Sequence, residues 1–110
     1  RDHEKRPKMA KAAAKFSDFI ILTSDNPRTE NPTKILADIE KGLIESEYPF
    51  DKYLIIADRE KAIRYGIKML KKDDSLLIAG KGHETYQIIG TEKMHFDDRE
   101  VVRRILEEMK

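Results

Sequence analysis

Two short stretches hold side chains suited to recognising a small charged molecule. The first is Ser24-Asp25-Asn26-Pro27-Arg28-Thr29-Glu30-Asn31-Pro32, which follows an apolar run. Pro27 restricts the backbone, and Asp25 and Asn26 can fasten a turn with side-chain hydrogen bonds. An arginine held in such a turn is preorganised to grip a carboxylate through two hydrogen bonds. The second stretch is Ala79-Gly80-Lys81-Gly82-His83-Glu84-Thr85. Glu84 would suit an ammonium group. Together, Arg28 and Glu84 describe a receptor for the α-amino-acid end of a small molecule. The plainer reading of the first stretch is a proline-stiffened surface turn.

The glycines of the second stretch also invite a phosphate reading, since they permit close backbone approach to a ligand. The pattern is not a Walker loop, because Gly82 stands where Ser or Thr is required. It is not a full GxGxxG, because Thr85 replaces the last glycine and a strand is predicted to follow. The bland alternative is a tight turn with an exposed lysine. His83 beside Glu84 fits a metal ligand, an acid–base partner or, most simply, a hydrogen-bonded structural histidine. His3 and His95 are not at ligand spacing from it, so no metal site is expected. Asp97 and Asp98 read as a helix cap. Glu4 to Lys8 reads as a solvated helix start, with anion binding as the minority reading.

These residues need elements to hold them. Pro7 fits the first turn of a helix, whose apolar face is Met9, Ala12, Ala13 and Phe16. Phe19 to Leu22 reads as a buried strand. Asn31 and Pro32 open a second helix with the stripe Ile35, Leu36, Ile39, Leu43 and Ile44, running to about Glu47 before Pro49. Tyr53 to Ala57 is a second strand. Asp58 caps a helix carrying Ala62, Ile63, Gly66, Ile67 and Leu70. Ser75 to Ala79 is a third strand. Tyr86 to Ile89 and Lys93 to Phe96 form a hairpin around Gly90. Asp97, with Glu100, starts a last helix built on Val101, Val102, Ile105, Leu106 and Met109. Alternation of this kind predicts an α/β fold: a mainly parallel sheet with helices on both faces, ending in a β-hairpin and a helix. Ligands of such sheets bind beyond the carboxyl ends of the strands, where both candidate stretches fall.

The 110 residues suit one domain, residues 1–110. Lys and Arg number 22 against 21 Asp and Glu, a net charge of +1, which argues against a nucleic-acid partner. No apolar run approaches the roughly 18 residues of a membrane span. No cysteine is present, so disulfides and thiolate metal sites are excluded and a reducing compartment is natural. The chain opens on Arg1 in what reads as the middle of a loop, and is expected to be part of a longer protein.

The motifs RDHEKRP, TSDNPR, AGKGHETYQIIG and FDDREVVR occur in this order. With them, the whole chain resembles the C-terminal domain of the UDP-N-acetylmuramoyl-tripeptide synthetases, a branch of the Mur ligase family. The resemblance implies a Rossmann-like domain, here without its first strand, that carries the incoming amino acid to the central domain of a three-domain cytoplasmic enzyme. It implies ATP-dependent amide formation in peptidoglycan synthesis, with ATP and Mg2+ bound mainly outside this chain. The family's acyl phosphate forms on the D-glutamate γ-carboxylate of a nucleotide-linked dipeptide. The tetrapeptide Asp25-Asn26-Pro27-Arg28 implies meso-diaminopimelate as the amino acid, with lysine or another diamine as the alternative. The family's contacts fall on Arg1, Asp25, Asn26, Pro27, Arg28, Gly80 and Glu84, with Arg28 on the distal carboxylate that lysine lacks. No catalytic residue is expected in this chain. The family's usual DRDKGKRP is replaced by RDHEKRP, with His3 and Glu4 departing from it. A rival of another class is a stand-alone α/β binding module.

Overall fold

The computed structural model describes residues 5–25, 30–81 and 84–110. Their order is α1 (Lys5–Phe16), β1 (Ile20–Leu22), α2 (Pro32–Glu45), a 3-10 turn (Phe50–Lys52), β2 (Tyr53–Ile55), α3 (Arg59–Met69), β3 (Tyr86–Ile89), β4 (Glu92–His95) and α4 (Asp98–Glu108). β1 and β2 are parallel, with Ile20 opposite Tyr53 and Leu22 opposite Ile55. β3 and β4 form a separate antiparallel hairpin, closed by Gly90 at φ +63°.

Local chemistry sets the helix starts. Asn31 Oδ1 accepts from the Thr33 N–H at 2.9 Å, and Pro32 occupies the first turn, where no backbone N–H is needed. Asp58 Oδ1 accepts from the Lys61 N–H at 3.0 Å. α2 ends as Glu47 enters the left-handed region at φ +57° and the Tyr48 N–H returns to the Leu43 carbonyl at 3.0 Å. Replacing Asp58 by alanine leaves first-turn N–H groups to solvent and is expected to cost about 1 kcal/mol. A lower urea midpoint at unchanged slope would report it; an unchanged midpoint would mean that water caps α3 equally well.

The alternation of β1 assigns the helices to two faces. Ile20 and Leu22 join Ala10, Leu36, Leu43 and Tyr53 in one buried cluster, with α1 and α2 packed over it. Ile21 points the other way, towards Gly66 of α3. A second cluster joins α3 and α4 through Ile63, Ile67, Val101 and Ile105, with Ile78 and Phe96 against it. Tyr53 also donates its hydroxyl to Glu40 Oε2 at 2.6 Å. That hydrogen bond, then burial, then the carboxylate's charge push its pKa up to about 12.

Ile44, Leu70, Leu106 and Met109, expected on buried stripes, lie at the edges of their helices' packed faces and are exposed. Three further sequence expectations change. The buried face of α1 is Ala10, with Ala13 and Ala14 packed beside it, while Phe16 is 88% exposed. The small side chains let α1 lie close on α2, and larger residues on that face would hold it off. Secondly, the strands are shorter than expected, Ile20–Leu22 and Tyr53–Ile55. Thirdly, Ser75 to Ala79 joins no ladder among the described residues. Leu76 packs on Gly66 beside Ile21, and Ile78 enters the second cluster, so the segment lies against α3. Its link to the end of β1 is a side chain, Arg59, and no backbone pairing joins the two.

Candidate functional site

Parallel pairing puts the carboxyl ends of β1 and β2 at one edge. The Ile56 N–H bonds the Leu22 carbonyl at 2.9 Å, and the Ser24 N–H bonds the Ala57 carbonyl at 3.3 Å. The loop entering Asp25 therefore starts beside the loop entering α3. Arg59, the first residue of α3, is buried with its side chain 2% exposed. Its Nε and Nη2 grip both oxygens of Asp98 at 2.8 and 2.7 Å. Nη1 reaches the Ser24 carbonyl at 3.1 Å, and Nη2 the Ala79 carbonyl at 3.2 Å. One guanidinium thus joins the end of β1, the end of the 75–79 segment and the start of α4. A planar fork with five donors suits this task, and a lysine could not satisfy it.

Lys81 makes the second connection. Its side chain is fully enclosed, and Nζ donates to Asp25 Oδ1 at 2.9 Å and to the Tyr86 carbonyl at 2.5 Å. The Phe96 ring centre lies 5.8 Å from Nζ. Gln87 Nε2 donates to the Asp25 carbonyl at 2.8 Å. Gly80, at φ +104°, lies in a region that other residues enter only with strain. The Glu84 N–H then returns to the Lys81 carbonyl at 3.1 Å. These bonds overturn the exposed-lysine reading, and they also remove Lys81 as a phosphate ligand. A buried ammonium needs anionic and carbonyl partners, and here Asp25 and Tyr86 supply them.

Of the sequence-derived candidates, Asp25, Gly80 and Glu84 are brought into one neighbourhood. Arg1, Asn26, Pro27 and Arg28 lie outside the described residues, as does His83. Asp97 caps α4, accepting from the Arg99 N–H at 2.9 Å. The Arg99 side chain holds its carboxyl below the usual carboxylate range. Asp98 does not cap; it serves Arg59. Glu100 reaches His95 Nε2 at 2.7 Å and does not complete a capping box with Asp97. A shallow cleft of about 270 Å³ lies between Glu60, His95, Asp97, Glu100 and Arg104, and none of the described candidates Asp25, Gly80 and Glu84 lines it. Among the described residues, no group of three or more His, Asp or Glu could hold a metal ion. No described helix is long and apolar enough to cross a membrane. Sequence reasoning missed Arg59, Gln87 and Asp98. For Arg59 and Asp98 the only local signal is a charged residue beside a helix cap, which is common on surfaces, and Gln87 is one polar residue within a predicted strand.

Comparison with known proteins places these features in a family. A model of the Mur ligase glutamate ligase domain matches residues 1–82, about three quarters of the chain. A UDP-N-acetylmuramoyl-L-alanyl-D-glutamate–2,6-diaminopimelate ligase of Fusobacterium nucleatum is 59% identical over 104 residues, covering 94% of this chain and 21% of that protein. The protein of the same name from Caldanaerobacter subterraneus is 54% identical over 108 residues, 98% of this chain and 22% of that protein. A solved structure of a ligase with this name superimposes with a TM-score of 0.89 at 41% identity, over 99% of this chain and 22% of that one. The chain spans about a fifth of the length of these relatives. With its parallel strand pair, its hairpin and its two motif loops joined at one edge, the chain belongs to the Mur ligase family, as a glutamate ligase domain.

Proposed function

We propose that residues 1–110 are the amino-acid-binding, C-terminal domain of an ATP-dependent ligase that adds meso-diaminopimelate to UDP-N-acetylmuramoyl-L-alanyl-D-glutamate. The observation that carries this reading is the 2.9 Å bond between Lys81 and Asp25, which joins the loop of the DNPR tetrapeptide to the loop of Glu84. Both loops belong to a chain closely similar to proteins named for that reaction. The proposed receptor comprises Arg1, Asp25, Asn26, Pro27, Arg28, Gly80 and Glu84. Arg28 takes the distal carboxylate and Glu84 an ammonium. Asp25 enters through its place in the loop, with its own carboxylate bound to Lys81.

In the proposed reaction, the D-glutamate γ-carboxylate receives the terminal phosphoryl group of ATP, releasing ADP. The amine of diaminopimelate attacks the acyl phosphate, an amide bond forms and phosphate leaves. The chain has no Walker loop, and its described residues hold no metal-binding cluster. By the resemblance to the Mur ligases, ATP, Mg2+ and the nucleotide-linked dipeptide that donates the acyl group are assigned to the central and N-terminal domains, and the whole enzyme to the cytoplasm. A Rossmann-like sheet completes the reading. A strand preceding α1 would lie between β1 and residues 75–79, along the open side of β1 and beside Leu77, which is 87% exposed.

The test is release of ADP by the full-length protein, with the nucleotide-linked dipeptide and either meso-diaminopimelate or L-lysine. Strong dependence on diaminopimelate is expected, and none of this turnover is expected from the 110-residue chain alone. Equal stimulation by lysine would reassign the amino acid. Turnover by the isolated chain would overturn the division of labour between domains.

A further inference from the structure

We propose that Lys81 is a positioning residue that sets the spacing between the two halves of the amino-acid receptor. The inference rests on the receptor reading above and extends it to a side chain that cannot reach the ligand. The side chain of Lys81 is 0% exposed. Its ammonium points at the Asp25 carboxylate, the Tyr86 carbonyl and the face of the Phe96 ring. No donor remains directed at solvent.

The same residue is tied to Glu84 through its main chain. The Lys81 carbonyl accepts the Glu84 N–H at 3.1 Å, and Gly80 supplies the turn before it. Its side chain therefore holds the start of the 25–28 loop while its backbone holds the residue that would receive an ammonium. The two partners are 56 residues apart in sequence, so nothing local sets their separation. Burial provides the force. An unpaired ammonium in this enclosure is strongly disfavoured, so Lys81 stays buried only when Asp25 comes to it. Gln87 adds a weaker tie on the same loop through the Asp25 carbonyl, at 2.8 Å.

The test uses the full-length protein, with kcat and KM measured separately for meso-diaminopimelate and ATP. Lys81→Met keeps much of the apolar stem and removes every donor. A misplaced receptor is expected to raise KM for diaminopimelate by roughly ten- to hundredfold, with KM for ATP unchanged. Asp25→Asn should act in the same direction. The double variant Lys81→Met/Asp25→Asn should be no worse than Lys81→Met, because both act through one bond. Losses that multiply in the double variant would mean that Asp25 meets the ligand independently, and would overturn the proposal. So would a fall in kcat alone, which is how partial misfolding reads. Where Lys81→Met does not fold, Gln87→Met replaces it, with a smaller rise in the same KM expected; an unchanged KM would again overturn the proposal. Arg28→Ala separates the two levels. If it leaves KM for diaminopimelate unchanged, the receptor reading itself fails. If it raises that KM and Lys81→Met does not, only the positioning role fails.

Discussion

Replacing Arg59 by methionine is expected to remove about 3–5 kcal/mol of stability, the usual loss when one partner of a buried ion pair is deleted. The variant keeps the aliphatic stem but leaves Asp98, with a side chain 13% exposed, as an uncompensated carboxylate. It also removes the donors to the Ser24 and Ala79 carbonyls. For a domain of this size the loss corresponds to a fall in Tm on the order of 15–30 °C. The transition of the 110-residue chain, followed by circular dichroism, measures it directly. Because the damage is mainly a stranded charge, Arg59→Met/Asp98→Leu should regain part of it: removing both members of a buried pair is often close to neutral. A double variant as unstable as the single would show that the bonds to the two carbonyls matter more than the ion pair. Arg59→Lys should help little, since one ammonium cannot hold both carboxylate oxygens and two carbonyls in different directions.

The second large effect concerns substrate choice. In the full-length enzyme, Arg28→Ala is expected to lower kcat/KM for meso-diaminopimelate by roughly ten- to several-hundred-fold. A charge-assisted hydrogen bond contributes about 1.5–3 kcal/mol, a bidentate pair at least as much, and each 1.36 kcal/mol is tenfold in rate. Lysine has no distal carboxylate, so its use should change little and the selectivity between the two amino acids should collapse. KM for ATP should hold, because the nucleotide is assigned to another domain. Arg28→Lys should restore little of the loss, for want of a planar fork. The measurement is kcat/KM for both amino acids in wild type and variant. Equal losses for the two would mean that Arg28 supports its loop and does not read the substrate. The Arg59 and Arg28 variants also probe different links. The first removes the joint that holds three chain segments, and the second removes a group at the end of a loop anchored at Ser24 and Asp25.

The amino-acid sequence by itself determined the features that depend on near neighbours. The starts of α2, α3 and α4 lie at Asn31, Asp58 and Asp97 because a cap bonds to an N–H two or three residues away. The hairpin around Gly90 and the buried centres of the α3 and α4 stripes, Ala62, Ile63, Gly66 and Ile67 with Val101 and Ile105, were legible for the same reason: turn chemistry and helical period act over a few residues. The order of strands and helices was enough to predict a parallel pair with helices on both faces, since that connection needs a crossover. The family was legible from four motifs and their spacing.

The tertiary structure alone decided which groups meet. The face read for α1 was Met9, Ala12, Ala13 and Phe16, and packing against α2 selected Ala10, Ala13 and Ala14 instead, because close approach favours small side chains. Ser75 to Ala79 has the composition of a strand, yet a ladder needs a partner edge, and composition cannot say whether one is adjacent. Arg59 and Asp98 are 39 residues apart, and Lys81 and Asp25 are 56 apart. In the sequence each is one charge among many, and most such charges are solvated. Only the fold shows Arg59 and Lys81 to be enclosed, with Asp98 and Asp25 half-buried against them, and enclosure turns an ordinary surface charge into a joint, because a charge taken out of water must find its partner.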